Sequence, residues 1–338
     1  MHNGQQHGDW TRELVNRLSR LVLISLTTIL MVKSSTFGWN AFTETVRHGK
    51  AIDAELADRL KAHVYTLSHT IGNRSVMDLP RLESAAAYIS QQLQAHGYTP
   101  EFEPYVVQDR HTKNVIGVKP GTSEEVVIVG AHYDTCFNPG ADDNASGVAG
   151  LLELARSFAG TSTARTVKFI AFVNEEPPFF QTELMGSRVY AKAARARGEH
   201  IRAVVVLEML GYYSDRRNSQ RYPPLFGFGY PNRGNFIGVI GNFRSRRLIR
   251  SVAQSMRRGS SVPVESAALP EFLPGVAWSD HGSFWKEGYP AVMITDTAYL
   301  RNPHYHQDTD TLDTLNYQAM ASVVEGLRAA IQDLAGAM

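Results

Sequence analysis

The chain has a single cysteine, Cys136, among its 338 residues. That excludes an intramolecular disulfide and a CxxC metal knuckle. Any metal must be held by imidazoles and carboxylates, a donor set that still suits zinc, and Cys136 itself reads as a small buried filler. An excess of one charge is also missing. Lys plus Arg number 34 against 33 Asp plus Glu, without the basic balance of a nucleic-acid binder. The one local excess, Arg244, Arg246, Arg247, Arg250, Arg257 and Arg258, has the spacing of the solvated side of a helix. No internal repeat or low-complexity tract is present. With 43% hydrophobic and 20% charged residues, the composition is that of a soluble globular protein, not a disordered or fibrous one.

Long hydrophobic runs are scarce too. Leu21–Val32 (LVLISLTTILMV) is uncharged and mostly apolar, but as a helix it spans only about 18 Å, short of the roughly 20 residues that cross a bilayer. Arg12, Arg17 and Arg20 precede it, the layout of a secretory signal, although MVKSSTF offers no A-x-A cleavage site. Residues 1–50 are therefore expected to be a leader and tether that exports the chain or attaches it to a membrane, on the periplasmic or extracellular side. Residues 51–338 are expected to form one domain.

Within that domain, Leu82–His96 has apolar residues at helical spacing and ends at Gly97, a natural C′ residue. Short β-like runs follow at Thr99–Val107, Asn114–Val118 and Val126–Ala131. The last (VVIVGA) is continuously apolar, as a strand covered on both faces should be. The pattern then alternates: helix Ala145–Phe158, strand Val167–Val173, helix Ser187–Arg197, strand Ala203–Leu207. Beyond a loop rich in Pro, Gly and Tyr come strand Phe236–Ile240, helix Ser245–Arg257, strand Ala291–Thr295 and helix Tyr317–Leu334. This order predicts a three-layer α/β/α sandwich with a mixed, mainly parallel central sheet, whose ligands bind beyond the carboxyl ends of the strands.

Polar residues gather where each apolar strand ends. His132-Tyr133-Asp134 follows VVIVGA, Asn174-Glu175-Glu176 follows VKFIAFV, Glu208 follows AVVVL, and Asp296 follows AVMIT. Asn302 to His306 lies one loop further on, and Gly140-Ala141-Asp142-Asp143-Asn144 falls between the first of these strands and its helix. Carboxylates packed this closely repel one another unless a cation neutralises them. Imidazoles in the same cluster favour zinc over calcium or magnesium. Two His and three carboxylates suit a pair of metals about 3.5–4 Å apart with one bridging carboxylate. Of the adjacent Glu175 and Glu176, one can ligate while the other serves as base.

The segments AHYDT, GADDNASG, FVNEE, LEM and His306-x-x-x-Asp310-Thr311 resemble, in order, the metal-site motifs of the M28 zinc exopeptidases, a family that includes bacterial leucyl aminopeptidases and the related glutaminyl cyclases. The resemblance covers roughly residues 60–335. It implies the zinc exopeptidase fold and two Zn2+ per chain. His132, Asp142 and Glu208 would hold one metal, and Asp142, Glu176 and His306 the other. Asp142 would bridge, with a cis peptide bond to Asp143, and Glu175 would be the general base. Asp134 is expected to orient His132 from behind. Asp143 is expected to brace the site or cap the following helix, and His281 of Ser279-Asp280-His281 to brace a ligand or meet substrate. His304, two residues from His306, reads as a bystander, and Tyr212 and Tyr213 as packing.

The function implied is a di-zinc aminopeptidase acting on a peptide or aminoacyl substrate with a metal-activated water and Glu175. The first alternative is a glutaminyl-cyclase-like enzyme with one zinc; in that branch the first histidine is typically replaced, whereas His132 is present. The second is a non-catalytic binding domain, which usually lacks ligands or the base. A Ser–His–Asp hydrolase is disfavoured because no G-x-S-x-G elbow occurs.

Overall fold

The computed structural model describes residues 53–337 apart from 224–226 and 228. The leader and the apolar run at residues 21–32 thus lie outside the described residues. Among those described, no helix is long and apolar enough to cross a membrane.

Among the described residues eight strands form one mixed sheet in the order β1-β2-β4-β3-β5-β8-β6-β7. They are β1 (Glu101–Val107), β2 (Arg110–Lys119), β3 (Ser123–His132), β4 (Arg165–Phe172), β5 (Ile201–Glu208), β6 (Ile237–Gly241), β7 (Val264–Ala268) and β8 (Ala291–Thr295). The central four, β4-β3-β5-β8, run parallel. Their β-branched runs are buried on both faces, as the absence of alternation in VVIVGA and AVVVL requires. Antiparallel β2 and β1 close one side, where Pro104 lies on the edge strand. On the other side β6 is antiparallel to β8 and parallel to β7.

Helices α1 (Ala54–Val64), α2 (Leu79–Ala95), α3 (Gly147–Phe158), α5 (Arg246–Gly259) and α7 (Tyr317–Ala335) pack on one face. There Leu60, Leu93, Leu152, Met256 and Leu327 share a core with Val129, Phe169, Val205, Val239 and Ile294. Helices α4 (Gly186–Ala196) and α6 (His281–Lys286) cover part of the other face, where Tyr190 and Phe284 meet Ile128, Phe172, Val204 and Val206. Adjacent strand residues thus feed opposite cores, which makes the three-layer sandwich. Helix ends are fixed locally. Asp53 and Asn316 side chains accept from Leu56 N and Ala319 N, caps of about 1 kcal/mol each, and Gly336 ends α7 in the left-handed conformation. Arg246, Arg247, Arg250, Arg257 and Arg258 lie on the solvent side of α5, as their spacing predicts, and Arg244 is exposed in the turn before it.

Three of these elements go beyond the sequence reading: α1, α6, and β7, whose five residues VESAA form the sheet edge beyond β6. β7 is short and places Glu265 among small residues, so it carries no strand signature of its own.

Candidate metal centre

Because β3, β4, β5 and β8 are parallel, their carboxyl ends share one edge of the sheet. His132 and Glu208 are the last residues of β3 and β5, and Glu175 and Glu176 follow β4 by a short turn. Asn174, Met209 and His306 adopt left-handed φ of 61°, 53° and 57°, uncommon for non-glycine residues, and each lies where the chain turns at this edge. His132, Glu175, Glu176 and Glu208 are all buried.

The centre of the cluster is Asp143. Its Oδ1 lies 3.3 Å from His132 Nε2, and its Oδ2 lies 3.1 Å from His306 Nε2. Glu208 Oε2 is 3.5 Å from His132 Nε2, and Glu176 Oε2 is 3.3 Å from His306 Nε2. Two imidazole–carboxylate sets therefore share one carboxylate. Among the described residues neither Nε2 has a hydrogen-bond partner although both atoms are buried, and Glu176 Oε1 is equally orphaned. Buried polar atoms are rarely left so. Two donors about 2.0–2.1 Å from a tetrahedral zinc lie about 3.3 Å apart, and the observed separations bracket that value. The residues present fit a metal pair.

This arrangement corrects the expectation for Asp142, which does not join the cluster. Its Oδ1 accepts from Gly211 N (2.8 Å) and its Oδ2 from Asn302 Nδ2 (2.7 Å). The reason is the backbone: Asp143 is extended (φ −105°, ψ 88°), so its side chain and that of Asp142 leave the chain in different directions. The cis peptide is likewise one residue later than expected, at Asp143–Asn144. Asp310 holds the pair from outside, accepting Asp142 N (2.9 Å) and Asp143 N (3.1 Å) on its two oxygens. Asn144 fastens the same turn to the end of β5 through Leu207 O and Met209 N.

The other expected neighbours divide. The Asp134 carboxylate stands 3.7 Å from His132 Nδ1, which is instead 3.2 Å from the Asp134 carbonyl. The carboxylate accepts the amides of Glu175 (3.1 Å) and Glu176 (3.0 Å), so it sets the paired glutamates rather than the imidazole. His281 braces no member of the cluster, a second correction. Its Nε2 is bonded to Val276 O at 2.7 Å and its ring packs edge-on against Trp285. Two residues earlier, Ser279 Oγ donates to Glu208 Oε2 at 2.6 Å. His304 is indeed a bystander, held by Thr309 and Tyr212. Cys136 is not a buried filler: it is half-buried, and its thiol lies within 4.8 Å of the ligand atoms of Glu176 and His306. Tyr305 stacks on the His306 ring at 3.8 Å.

Charge follows this packing. Burial would lower the His132 pKa, but Glu208, Glu175, Asp134 and Asp143 outweigh it and hold it well above the usual range. Burial, reinforced by Asp143, pushes Glu176 up to about 8 despite His306. Burial and then Glu176, Glu208 and Asp280 hold Glu175 well above an ordinary carboxylate, against the pull of His132. A cluster this rich in acid calls for positive charge. One compensating cation is structural: Arg74 is fully buried and donates to five carbonyls, those of Tyr133, Leu67, Gly72, Pro139 and Gly140, at 2.8–3.0 Å. Nothing in the spacing around Arg74 announced that role.

The family model for peptidase family M28 matches residues 114–331. The uncharacterized protein YfbL of Escherichia coli K12 is 37% identical over 298 residues, covering 85% of this chain and 90% of YfbL. The probable leucine aminopeptidase 1 of Trichophyton verrucosum is 26% identical over 307 residues, covering 83% of this chain and 75% of its own. In fold, the chain is similar to the Legionella pneumophila aminopeptidase LapA (TM-score 0.66, 22% identity, 86% of this chain and 76% of that one). It is also similar to the glutaminyl cyclase of Fimbriiglobus ruber (TM-score 0.61, 20% identity, 82% and 94%). With the family model spanning most of the domain and its motifs converging on one sheet edge, the chain belongs to peptidase family M28.

Proposed function

We propose that this protein is a zinc-dependent aminopeptidase. One metal would be held by His132, Asp143 and Glu208, and the other by Asp143, Glu176 and His306. The observation that carries the reading is Asp143, whose two oxygens each face an imidazole nitrogen that has no hydrogen-bond partner among the described residues. Bound there, zinc supplies Lewis-acid polarisation of a carbonyl and a nucleophile available at neutral pH.

The chain's own residues do the rest. Asp134, by holding both amides, fixes Glu175 and Glu176 so that one carboxylate ligates while its neighbour stays free. Glu175 takes the proton of the attacking water and returns it to the leaving amine. Ser279 aims Glu208, and Asp310 with Asn302 fixes the turn that presents Asp143. A cavity of about 160 Å³, lined by Glu208 and Tyr305 among others, opens beside the cluster and takes the side chain of the substrate's first residue.

Glu175→Gln tests the reading. Turnover of aminoacyl-nitroanilides should fall about 10²–10⁴-fold, the contribution of a positioned general base, with zinc content unchanged. Wild-type activity in that variant would refute the role. A purified chain with one zinc that cyclises N-terminal glutamine would favour the cyclase reading. Export or membrane attachment through residues 21–32 belongs to the proposal too; fractionation that finds the intact protein in the cytoplasm overturns it.

A further inference from the structure

The cavity beside Glu208 has an ordered floor. Glu208 pairs with Thr295, Thr295 with Gly238, and Gly238 with Glu265, one in-register row across β5, β8, β6 and β7. All four line the cavity. Residues paired across strands rise from the same face of a sheet, and three strand spacings place the two glutamates about 14 Å apart. Between them stand a threonine and a glycine, so the floor is low along its whole length. This is the face on which α4 and α6 do not reach β6 and β7. Ile240 and Met293, paired across β6 and β8, form the next row of the floor, and the walls there come instead from Leu273, Val276 and Trp278.

Glu265 is out of place in such a lining. Besides Glu208 it is the only acidic residue among the described residues of the wall. Among the described residues its carboxylate has no hydrogen-bond or ion-pair partner. Arg257 is the one cation that influences it, and burial outweighs that influence, raising the Glu265 pKa. The Arg257 guanidinium is already committed to Val264 O at 2.9 and 3.1 Å. An unpaired carboxylate among apolar groups is costly, and that cost is relieved when an incoming ligand supplies the cation.

We propose that Glu265 is a specificity determinant that selects an amino-terminal residue bearing a cation at the tip of a long apolar side chain, lysine or arginine. The inference rests on the aminopeptidase reading for what occupies the cavity. The dimensions agree: a lysine side chain spans about 6 Å from Cα to Nζ, and contacts of about 3–4 Å at each end fill the separation of the two glutamates. The methylenes lie against Ile240 and Met293, and the ammonium meets Glu265. A leucine side chain is too short to reach it, and a phenylalanine fills the walls but leaves the carboxylate unpaired.

The test compares L-lysinamide with L-norleucinamide, the same chain length without the ammonium, binding to the zinc-loaded protein by calorimetry. Hydrolysis of lysyl- and norleucyl-aminomethylcoumarin is measured in parallel. Lysinamide should bind about tenfold or more tightly than norleucinamide, and Glu265→Gln should bring the ratio to about one. Tighter norleucinamide binding by the wild type, or a ratio that Glu265→Gln leaves unchanged, overturns the assignment. Discrimination between the amides without hydrolysis of either coumarin would sink the aminopeptidase reading and leave the role of Glu265 standing. Hydrolysis that favours norleucine would do the reverse.

Discussion

The two adjacent acids, Asp142 and Asp143, are the sharpest place to test the metal centre, because sequence and structure assign them opposite roles. Asparagine at 143 keeps the shape but offers one oxygen where the aspartate offers two. Each of those oxygens faces a separate imidazole, at 3.3 and 3.1 Å. One imidazole–carboxylate set is then reduced from three donors to two, below what zinc requires even with an open position. Removing an outer partner of a ligand typically costs 10–100-fold in metal affinity, so loss of the shared ligand should exceed that, about 10³-fold or more. Asp143→Asn is expected to purify with one zinc or fewer and to lose turnover in proportion. Asp142 differs: both its oxygens are already engaged, by Gly211 N–H and the Asn302 amide. Asp142→Asn perturbs only the outer shell and should keep two zincs, with affinity weakened by about 100-fold at most. Plasma emission spectrometry for zinc, beside competitive titration against a chelator, reads both quantities. Zinc lost in Asp142→Asn and retained in Asp143→Asn would refute the arrangement drawn from the structure.

Three further outcomes follow from named contacts. Ser279→Ala removes the 2.6 Å bond to Glu208 and should weaken one zinc by about 10–100-fold while the other is untouched, giving a biphasic chelator titration. Arg74→Met removes five hydrogen bonds to carbonyls, three of them buried; with about 1.5–3 kcal/mol for each bond from a charged donor and incomplete additivity, urea denaturation should show a loss of about 4 kcal/mol or more. Glu153 lies outside the cluster, between Arg59 Nε (2.8 Å) and His63 Nε2 (3.3 Å). Burial alone would raise its pKa, but His63 and Arg59 outweigh burial and hold it below the ordinary glutamate value. A depressed acid stabilises the fold above its unfolded pKa and loses that contribution as pH falls through the folded value. Glu153→Gln should therefore be less stable than wild type by about 1–2 kcal/mol at pH 7, and the gap should narrow below about pH 4.

Much of the site was legible because strand ends are legible. A short, β-branched, continuously apolar run reads as a strand buried on both faces, and the residue that ends it then lies at the sheet edge, so His132, Glu175, Glu176 and Glu208 could be placed without coordinates. Asp143 could not be separated from Asp142 in this way. Both acids lie in one turn, and which of them faces the imidazoles depends on φ and ψ at Asp143 and on Asp310, 167 residues later in the chain. Ser279 and His281 are ambiguous for the same reason: the start of α6 turns one toward Glu208 and the other toward Val276. Arg74 was invisible because its partners are all backbone carbonyls, which every sequence possesses.

The same logic explains why Glu265 was overlooked and why its position carries meaning. In VESAA a lone glutamate reads as the solvent-facing residue of an edge strand, the ordinary place for a charge. Only the sheet order shows otherwise. β7 pairs with β6, β6 with β8 and β8 with β5, so Glu265 comes into line with the metal-side Glu208 across strands far apart in sequence. The face it occupies lacks the helices that cover the equivalent part of β3 and β5, and what covers it instead is apolar loop. A carboxylate set on that floor is half-buried, has no hydrogen-bond or ion-pair partner among the described residues, and shares one cavity with the cluster. Catalysis and selection would thus be fixed by two ends of a single row of residues: the sheet supplies the distance between them, and Gly238 and Thr295, by being small, keep it open.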